Sequence, residues 1–224
     1  MERIGERSII RMVYENAVAT GLFDEVLVVT DSQIILDEIT SIGGHALQSK
    51  YEHQSGSDRI AEAISDMDVD VVINIQGDEP FIIKEPLAAL IKSFEESSVE
   101  VASLMKKFTE KEDPSNPNLV KVVTDNNKNA LYFSRAPIPF FRNNSSAANY
   151  YKHIGVYGYR KKTLQNFTSW PVATLEKTEM LEQLRYLENG VSIRMIETST
   201  SSIGIDTPED LEQARKHFSS LQEK

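Results

Sequence analysis

The sequence predicts an α/β domain, and three observations lead to that class. Strand-like and helix-like stretches alternate along the chain, which is the pattern of α/β proteins. Residues 71–75 form a mainly β-branched run that is too short for a helix and too continuous for a strand with one solvated face. The length of 224 residues is enough for one substantial core. We therefore expect residues 71–75 to be a central parallel strand.

The elements before this strand follow from helix caps and turn residues. Asp31 and Ser32 are good helix N-caps, and Gly43 and Gly44 are good helix stops. The expected order is a helix at 8–20, a strand at 25–30, a helix ending at 42, a strand at 46–48, a polar loop at 51–59 and a further helix.

The elements after the central strand follow the same alternation until about residue 104. Residues 120–124 and 130–134 are strand-like and are joined by DNNKN, which predicts a hairpin. The expected order is a helix at 85–94, a strand at 100–104, a long polar segment, the hairpin, a strand containing HIGVYGYR, a helix containing EMLEQLR, and a helix near the C-terminus.

Composition and charge exclude several functions. The formal net charge of −10, with scattered basic residues, argues against general nucleic-acid binding, so we expect any bound nucleotide to need a metal. The chain has no cysteine, which excludes disulfides and thiolate chemistry. No apolar run approaches the roughly 18 residues of a membrane span, and MERIGER does not have the pattern of a signal peptide. A cytoplasmic protein without membrane insertion is expected.

The most informative segment is VVINIQGDEP, where an apolar strand meets a polar loop. Carboxylates at the carboxyl end of a strand are well placed for a metal-bound phosphate. Asp78 offers hard oxygen to Mg²⁺, and Gly77 lets the backbone turn or approach a ligand. The ordinary alternative is a polar loop in which Pro80 stops the strand.

Two helix N-termini are further candidates for nucleotide or metal binding. In HQSGSDR, Ser57 and Arg59 open a helix and are candidates to meet a phosphate, ribose or base; an ordinary N-cap with a solvated arginine is the alternative. In GIDTPEDLEQAR, Asp206 follows a short apolar stretch and is a candidate second metal carboxylate beside Asp78. Helix initiation alone would also explain that pattern.

Polar residues in the second half form two more candidate sets. Arg135 ends a strand, where its planar guanidinium would bind a carboxylate through two hydrogen bonds. An ordinary surface arginine is the commoner explanation for such a residue. His153 and Tyr157 lie on one strand, and a structural histidine is the alternative there. If EMLEQLR is helical, its apolar residues form a stripe that leaves Glu182 on the opposite face and Gln183 at the flank. The ordinary alternative to a binding role is that these two side chains are simply solvated.

Together these segments resemble one family, the 3-deoxy-manno-octulosonate (Kdo) cytidylyltransferases, from residue 4 onward. The blocks that carry the resemblance, in order, are HQSGSDRIAEA, NIQGDEP, NPNLVKVV, ALYFSRAPIP, HIGVYGYR, LEKTEMLEQLR and GIDTPEDLE. The resemblance implies a Rossmann-like three-layer α/β/α sandwich with a mixed, mostly parallel sheet. It also implies a single domain over 1–224, with a sugar-binding and dimerisation portion within about 105–190.

The resemblance implies an activity and a role for each candidate residue. CMP is transferred from CTP to Kdo, giving CMP-Kdo and pyrophosphate for lipopolysaccharide biosynthesis, by a homodimer that uses Mg²⁺. The matching positions make Asp78 and Asp206 the catalytic metal ligands, place Ser57 and Arg59 on the CTP side, and give Gln76 a part in sugar or nucleotide recognition. The residues expected around the sugar acid are Arg135, His153, Tyr157, Glu182 and Gln183.

One departure from the family pattern concerns the N-terminus. Members of the family begin with a strand and a loop like IPARxxSxRxPGKxL, whereas this sequence opens with MERIGER. The expectation is that the first strand and main phosphate clamp are missing, and that the chain as written is poorly active and less stable. Two alternatives stay open: CMP transfer to another sugar acid such as sialate, and a non-catalytic dimer partner.

Overall fold

A computed structural model describes residues 1–51, 53, 55–142, 149–200, 204–205 and 207–222. They divide into two compact units. Unit 1 comprises Met1–Asp66, Ile75–Glu85 and Ser202–Lys224, and unit 2 comprises Met67–Asn74 and Pro86–Ser201. The single domain and its sugar portion at about 105–190 stay predictions.

Helices and strands alternate from residue 9 to residue 107, as the sequence predicts. In chain order they are β1 (Arg3–Ile4), β2 (Arg7–Ser8), α1 (Ile9–Thr20), β3 (Val28–Thr30), α2 (Gln33–Ser41), β4 (Ala46–Gln48), α3 (Gly56–Ala63), β5 (Val71–Asn74), α4 (Lys84–Ser93), β6 (Val101–Lys107), β7 (Lys121–Thr124), β8 (Ala130–Ser134), β9 (Tyr151–Arg160), α5 (Lys161–Ser169), α6 (Thr174–Glu179), α7 (Leu184–Glu188), β10 (Ile193–Glu197) and α8 (Pro208–Gln222).

Unit 1 is built on helices and two short pairs of strands. β1 and β2 pair antiparallel, and β3 pairs in parallel with β4. Ser8 caps α1 by accepting a hydrogen bond from the Arg11 amide at 3.4 Å. One cluster of the unit's core consists of Ile4, Met12, Leu211 and Ala214, with Ile9, Phe81, Ile205 and Phe218 packed against it. This cluster holds α8 and the residues before it against the N-terminal strands and α1.

Unit 2 is built around β9, a strand of ten residues. The sheet order is β10-β6-β9-β7-β8, and β5 also pairs with β9. β6 runs beside β9 over most of its length, while β7 meets its N-terminal end and β5 its C-terminal end. Most inward positions of β6 and β10 are buried apolar residues, so the sheet is also the core of this unit.

The predicted mixed sheet is confirmed, but its mostly parallel character is wrong for the described strands. β3–β4 and β10–β6 are parallel, and the five other pairings are antiparallel. β5 is therefore not the predicted central parallel strand. The physical reason is the length of β9, which runs antiparallel to all three of its neighbours. The predicted hairpin is confirmed by the antiparallel pair β7 and β8.

The predicted single helix through EMLEQLR is wrong, because the chain breaks at Met180. α6 ends at Glu179, Met180 adopts a left-handed conformation with φ of 53°, and α7 begins at Leu184. Met180 is therefore exposed and does not belong to an apolar stripe. Glu182 and Gln183 lie in the turn between the two short helices. The pattern of apolar spacing could not reveal this break, because it depends on contacts made with the helix end.

A buried ion pair joins these two helices. Arg185 Nε donates to Glu176 Oε2 at 2.7 Å, and the two side chains are only 8% and 11% exposed. The Arg185 guanidinium also lies 4.2 Å from the Phe167 ring centroid. Glu176 Oε2 in addition accepts a hydrogen bond from the Ala173 amide at the start of α6. Because each of these buried charges has the other as its counter-ion, removing one leaves an uncompensated buried charge.

We expect Glu176→Gln to destabilise the protein by about 3 kcal/mol, because Arg185 loses its buried counter-ion. The free energy of unfolding from urea denaturation measures this. Glu212→Gln is the control: its pair with Lys216 spans 3.8 Å on an exposed helix face, so its loss should cost less than about 0.5 kcal/mol. Equal stabilities for the two variants would contradict the assignment.

Candidate active site

The turn that follows β5 fixes Gln76 and Asp78 in unit 1. The Glu79 amide donates to the Gln76 carbonyl oxygen at 3.2 Å, and Asn16 donates to the Pro80 carbonyl oxygen at 2.6 Å. A Cβ on Gly77 would lie 3.2 Å from Ile10 Cδ1, so glycine lets the turn pack closely on α1. Gln76 is exposed and Asp78 is half-buried. The turn thus presents an amide and a carboxylate from a tightly held backbone.

The Asp78 backbone also binds the segment that precedes α8. The Ile205 amide donates to the Asp78 carbonyl oxygen at 3.1 Å. Asp206, the predicted second metal ligand, is the next residue in the sequence but lies outside the described residues. Among the described residues, no group of three or more acidic or histidine side chains is arranged to hold a metal ion. Of the two predicted metal ligands, Asp78 is therefore the one whose position the structure describes.

The start of α3 contains both an N-cap residue, Ser55, and the two candidate nucleotide-binding residues, Ser57 and Arg59. Ser55 caps the helix, because its hydroxyl accepts from the Asp58 amide at 3.2 Å. Ser57 is buried. Arg59 Nη2 donates to Asp31 Oδ2 at 2.9 Å, whereas its buried Nε has no hydrogen-bond partner among the described residues. Arg59 is therefore oriented by an exposed carboxylate and keeps most of its donors for another acceptor.

In unit 2, Arg135 is held by backbone carbonyls at the end of α6. Its Nε donates to the Glu179 carbonyl oxygen at 2.8 Å and its Nη2 to that of Met180 at 3.2 Å. Nη1 donates to the Pro117 carbonyl oxygen at 2.9 Å. A guanidinium has five N–H donors, so one N–H remains on each terminal nitrogen. These bonds satisfy the last carbonyls of α6 and explain why the predicted longer helix ends there.

Glu179 is the residue that fixes this strand end, and the sequence analysis missed it. Its carboxylate accepts from the Ser134 hydroxyl at 2.7 Å and from the Arg135 amide at 2.9 Å. Burial alone would raise the pKa of Glu179, but these hydrogen bonds outweigh burial and lower it. Its place in the LEKTEMLEQLR block indicates a family role, but its spacing is that of an ordinary solvated position on a helix.

A buried lysine supports the same strand end. Lys121 on β7 is fully buried, and its Nζ donates to the carbonyl oxygens of Asn116, at 3.0 Å, and of Arg135. Burial lowers the pKa of Lys121, which the charge of Glu179 partly offsets. Side chains and backbone of four segments thus converge around Arg135.

A local irregularity brings His153 and Tyr157 together. Met105 pairs with His153 and Ser103 with Tyr157, because the register of β9 shifts opposite the step from Ser103 to Leu104. The four steps from His153 to Tyr157 on β9 therefore lie opposite only two steps, from Met105 to Ser103, on β6. The two rings lie 5.2 Å apart between centroids, whereas residues four apart on a regular strand are separated by about 13 Å.

The environment of these two rings sets their protonation. Burial lowers the pKa of His153 to about 3, so its imidazole is neutral at pH 7. Burial raises the pKa of Tyr157 well above its ordinary value, and the ionisable groups of Tyr159 and Glu182 raise it further. The pair therefore consists of a neutral imidazole and a protonated phenol. Neither group is a cation that would neutralise an anionic ligand.

The turn between α6 and α7 brings further polar groups near this pair. Gln183 and Tyr186 are buried, and the Gln183 Nε2 and Tyr186 hydroxyl groups have no hydrogen-bond partner among the described residues. The Glu182 carboxyl lies close enough to raise the pKa of Tyr186, after the larger effects of burial and Tyr159. Glu182 has the same effect on Tyr157, so its carboxyl group lies near both phenols. Tyr186 was missed, because its position among apolar residues indicates a core aromatic.

The predicted residues therefore fall into two described sets. Unit 1 contains Ser57 and Arg59 on α3, and Gln76 and Asp78 in the turn after β5. In unit 2, Arg135 binds the carbonyl groups just before the turn that carries Glu182 and Gln183, and Glu182 lies near Tyr157, which contacts His153. The ordinary alternative of two solvated side chains does not hold, because in the turn Gln183 is buried and Glu182 is half-buried. No described helix has the length and apolar character needed to cross a membrane.

Comparison with known proteins identifies the family. A family model described as "Cytidylyltransferase" matches residues 1–193. The chain is 53% identical over 222 residues to a protein of Christiangramia forsetii named 3-deoxy-manno-octulosonate cytidylyltransferase, covering 98% of this chain and 90% of that protein. It is 51% identical over 218 residues to the Flavobacterium johnsoniae protein of the same name, with coverages of 96% and 89%.

Solved structures agree with this sequence similarity. The structure described as CMP:2-keto-3-deoxy-manno-octonic acid synthetase complexed with CTP has a TM-score of 0.93 and 36% identity, over 98% of this chain and 91% of that one. The 4-diphosphocytidyl-2C-methyl-D-erythritol synthase of Anaerococcus prevotii has a TM-score of 0.65 at 15% identity, over 97% and 91%, and shares the fold. The predicted α/β nucleotidyltransferase class is confirmed. The chain belongs to the cytidylyltransferase family, among its 3-deoxy-manno-octulosonate cytidylyltransferases.

Proposed function

We propose that this protein transfers CMP from CTP to Kdo, giving CMP-Kdo and pyrophosphate. The observation that carries the proposal is the polar set of unit 2, with a held guanidinium, a neutral imidazole, a protonated phenol and buried amide and carboxyl groups. A polyhydroxylated sugar acid needs this mixture of donors and acceptors. The names of the relatives, at 53% and 51% identity, support the same reaction. The lipopolysaccharide role and the cytoplasmic location stay predictions.

On the sugar side, Arg135 is the group that would bind the carboxylate. One N–H remains on each of its terminal nitrogens, so two donors are available for the two oxygens of a carboxylate. The uncharged groups of His153, Tyr157 and Gln183 would then bind hydroxyl groups, with Glu182 as a hydrogen-bond acceptor. Because three carbonyl groups already fix the guanidinium, little side-chain entropy is lost when the ligand binds.

On the nucleotide side, Arg59 and Gln76 are the groups that would bind CTP. Arg59 has a buried Nε with no described partner, in addition to its exposed ion pair with Asp31. Gln76 is exposed on a turn whose backbone is fixed by hydrogen bonds, so its amide is accessible to a base or ribose. Ser57 is buried at the start of α3 and would act through its backbone amide.

The donor set of unit 1 fits Mg²⁺, which usually binds through one or two carboxylates together with substrate phosphates. Asp78 is half-buried on a held turn, and the hydrogen bond from Ile205 fixes the residue that precedes Asp206 in the sequence. We therefore assign Asp78 and Asp206 as the residues that would hold the ion. When bound, Mg²⁺ would neutralise phosphate charge and lower the pKa of the attacking hydroxyl.

The chain's own residues contribute mainly position. The anomeric hydroxyl oxygen of Kdo forms a bond to the α-phosphorus of CTP, and the bond from that phosphorus to the bridging oxygen breaks, releasing pyrophosphate and the hydroxyl proton. Arg135 and its neighbours would hold the sugar acid, while Arg59 and Gln76 would hold the nucleotide. Fixing two reactants in this way removes much of the entropic barrier. The pathway requires no side-chain nucleophile.

The test of the proposed function is pyrophosphate release from CTP and Kdo with Mg²⁺. We expect turnover with Kdo and much less with sialate. Asp78→Asn should lower kcat at least about a hundredfold, because a metal carboxylate is lost, whereas Asp66→Asn, an exposed position of unit 1, should leave it unchanged. Absence of release with Kdo, both from this chain and from a version extended by an IPARxxSxRxPGKxL-like segment, would contradict the proposal, as would faster release with sialate.

A second prediction concerns the support of Arg135. We expect Glu179→Gln to raise the KM for Kdo about tenfold, equivalent to about 1.4 kcal/mol, because the carboxylate that orders Ser134 and the Arg135 backbone is lost. The KM for CTP should stay within a factor of two. Glu188→Gln is the control, since Glu188 caps α6 by accepting from the Leu175 amide at 2.9 Å. If the KM for Kdo rises equally in both variants, Glu179 does not have this specific role in supporting Arg135.

We also propose that the protein is a homodimer. Large apolar side chains of unit 2 are exposed: Leu131 by 62%, Phe140 by 86% and Met180 by 75%. Burying such residues against a second copy would remove apolar area from water. Light scattering after gel filtration should give twice the chain mass of 25.3 kDa, and a Leu131→Asp, Met180→Asp variant should give more monomer. A monomeric parent chain at micromolar concentration would contradict the dimer.

A further inference from the structure

Ser103 is a fully buried hydroxyl in the otherwise apolar centre of β6, with 0% exposure. Its Oγ lies 2.9 Å from His153 Nε2, 2.9 Å from the Val156 carbonyl oxygen and 3.2 Å from that of Ile154. All three partners belong to β9, at the place where its register against β6 shifts. One side chain therefore joins the sheet irregularity to the imidazole of His153.

The protons of this arrangement can be assigned by counting. A serine hydroxyl has one proton and two acceptor sites, and a carbonyl oxygen can only accept. Both carbonyl oxygens can only accept, whereas the imidazole can supply a proton of its own. The most hydrogen bonds therefore form when the Ser103 proton points at Val156 or Ile154. The Ser103 oxygen must then accept from His153, which places the imidazole proton on Nε2.

The second ring nitrogen then has a defined chemistry. A neutral imidazole carries one N–H, so Nδ1 is left with a free lone pair. The described residues provide no hydrogen-bond partner for Nδ1. The rings of Phe133 and Tyr157 lie beside the imidazole, each 5.2 Å away between centroids. These contacts fix the orientation of the ring as well as its proton.

We propose that Ser103 is a positioning residue that holds His153 as the Nε2–H tautomer, so that Nδ1 accepts a hydrogen bond from a hydroxyl group of the sugar acid. The identity of this ligand rests on the proposed function, whereas the tautomer does not. An ionised carboxylate only accepts hydrogen bonds, so a bare Nδ1 would repel it. His153 therefore selects a hydroxyl group and leaves the carboxylate to Arg135.

The tautomer is tested on the unmodified chain by long-range proton–nitrogen NMR of ¹⁵N-labelled protein. The chain has four histidines, and the signals missing in His153→Gln identify His153. We expect the proton on Nε2 at pH 7 and the same spectrum at pH 5.5, because burial keeps the pKa of His153 low. A proton on Nδ1, or an imidazolium at pH 7, would overturn the proposal.

The hydroxyl contact is tested by the kinetics of Ser103→Ala. We expect a mixture of tautomers and a KM for Kdo raised about fivefold, because one hydrogen bond is no longer fixed, with the KM for CTP within a factor of two. Thr163→Val is the matched control: it removes another buried hydroxyl of unit 2, which donates to Glu100 at 2.9 Å. Its KM for Kdo should stay at the parent value.

Two outcomes separate this inference from the proposed function. If the parent chain turns over Kdo but Ser103→Ala has the parent KM, the positioning role is wrong and the function stands. If the parent chain has the Nε2–H tautomer but does not turn over Kdo, the proposed function and the sugar contact both fail, and the tautomer assignment stands.

A further variant covers the case in which Ser103→Ala does not fold. Ser103→Thr keeps a hydroxyl group and should restore folding, the tautomer and the KM for Kdo. A folded Ser103→Thr protein whose KM for Kdo stays raised would overturn the positioning role.

Discussion

The register shift between β6 and β9 is the constraint on which the candidate sugar-binding residues of unit 2 depend. It compresses four residues of β9 onto two of β6, and so brings the rings of His153 and Tyr157 to 5.2 Å. A β-bulge of this kind leaves backbone groups without ladder partners. The Ser103 hydroxyl can donate a hydrogen bond at this irregularity, since it lies within hydrogen-bond distance of two β9 carbonyl groups. The same hydroxyl then determines what His153 offers to a ligand.

A second constraint acts at the end of α6. Arg135 binds the carbonyl groups of Glu179 and Met180, and the Glu179 carboxylate binds Ser134 and the Arg135 amide. The helix end and the end of β8 therefore satisfy one another's polar groups. These hydrogen bonds end the helix before Met180, and the turn that carries Glu182 and Gln183 follows. Backbone satisfaction at these two places, rather than side-chain spacing alone, arranges the candidate sugar-side residues.

The sequence was sufficient for much of the fold and for the choice of residues. Alternating patterns and caps located most helices and strands, and the quoted blocks indicated the family. The direction of β5 could not be predicted, because an apolar run does not encode its partner and a ten-residue β9 determines the pairing. The break at Met180 and the inward position of Gln183 depend on Arg135, which lies about 45 residues earlier in the sequence. Ser103, Glu179 and Tyr186 were missed for a related reason: their partners are distant in sequence, so spacing gave them ordinary interpretations.

The central claim is that the neutral imidazole of His153 contacts the sugar acid. An isotope-filtered NOE experiment tests it most directly, using labelled protein, unlabelled Kdo, Mg²⁺ and a CTP analogue with an uncleavable bridge between its α- and β-phosphates. We expect contacts from Kdo protons to the ring protons of His153 and Tyr157, and none to those of His217. Bound Kdo that shows no contact with either His153 or Tyr157 would contradict the account.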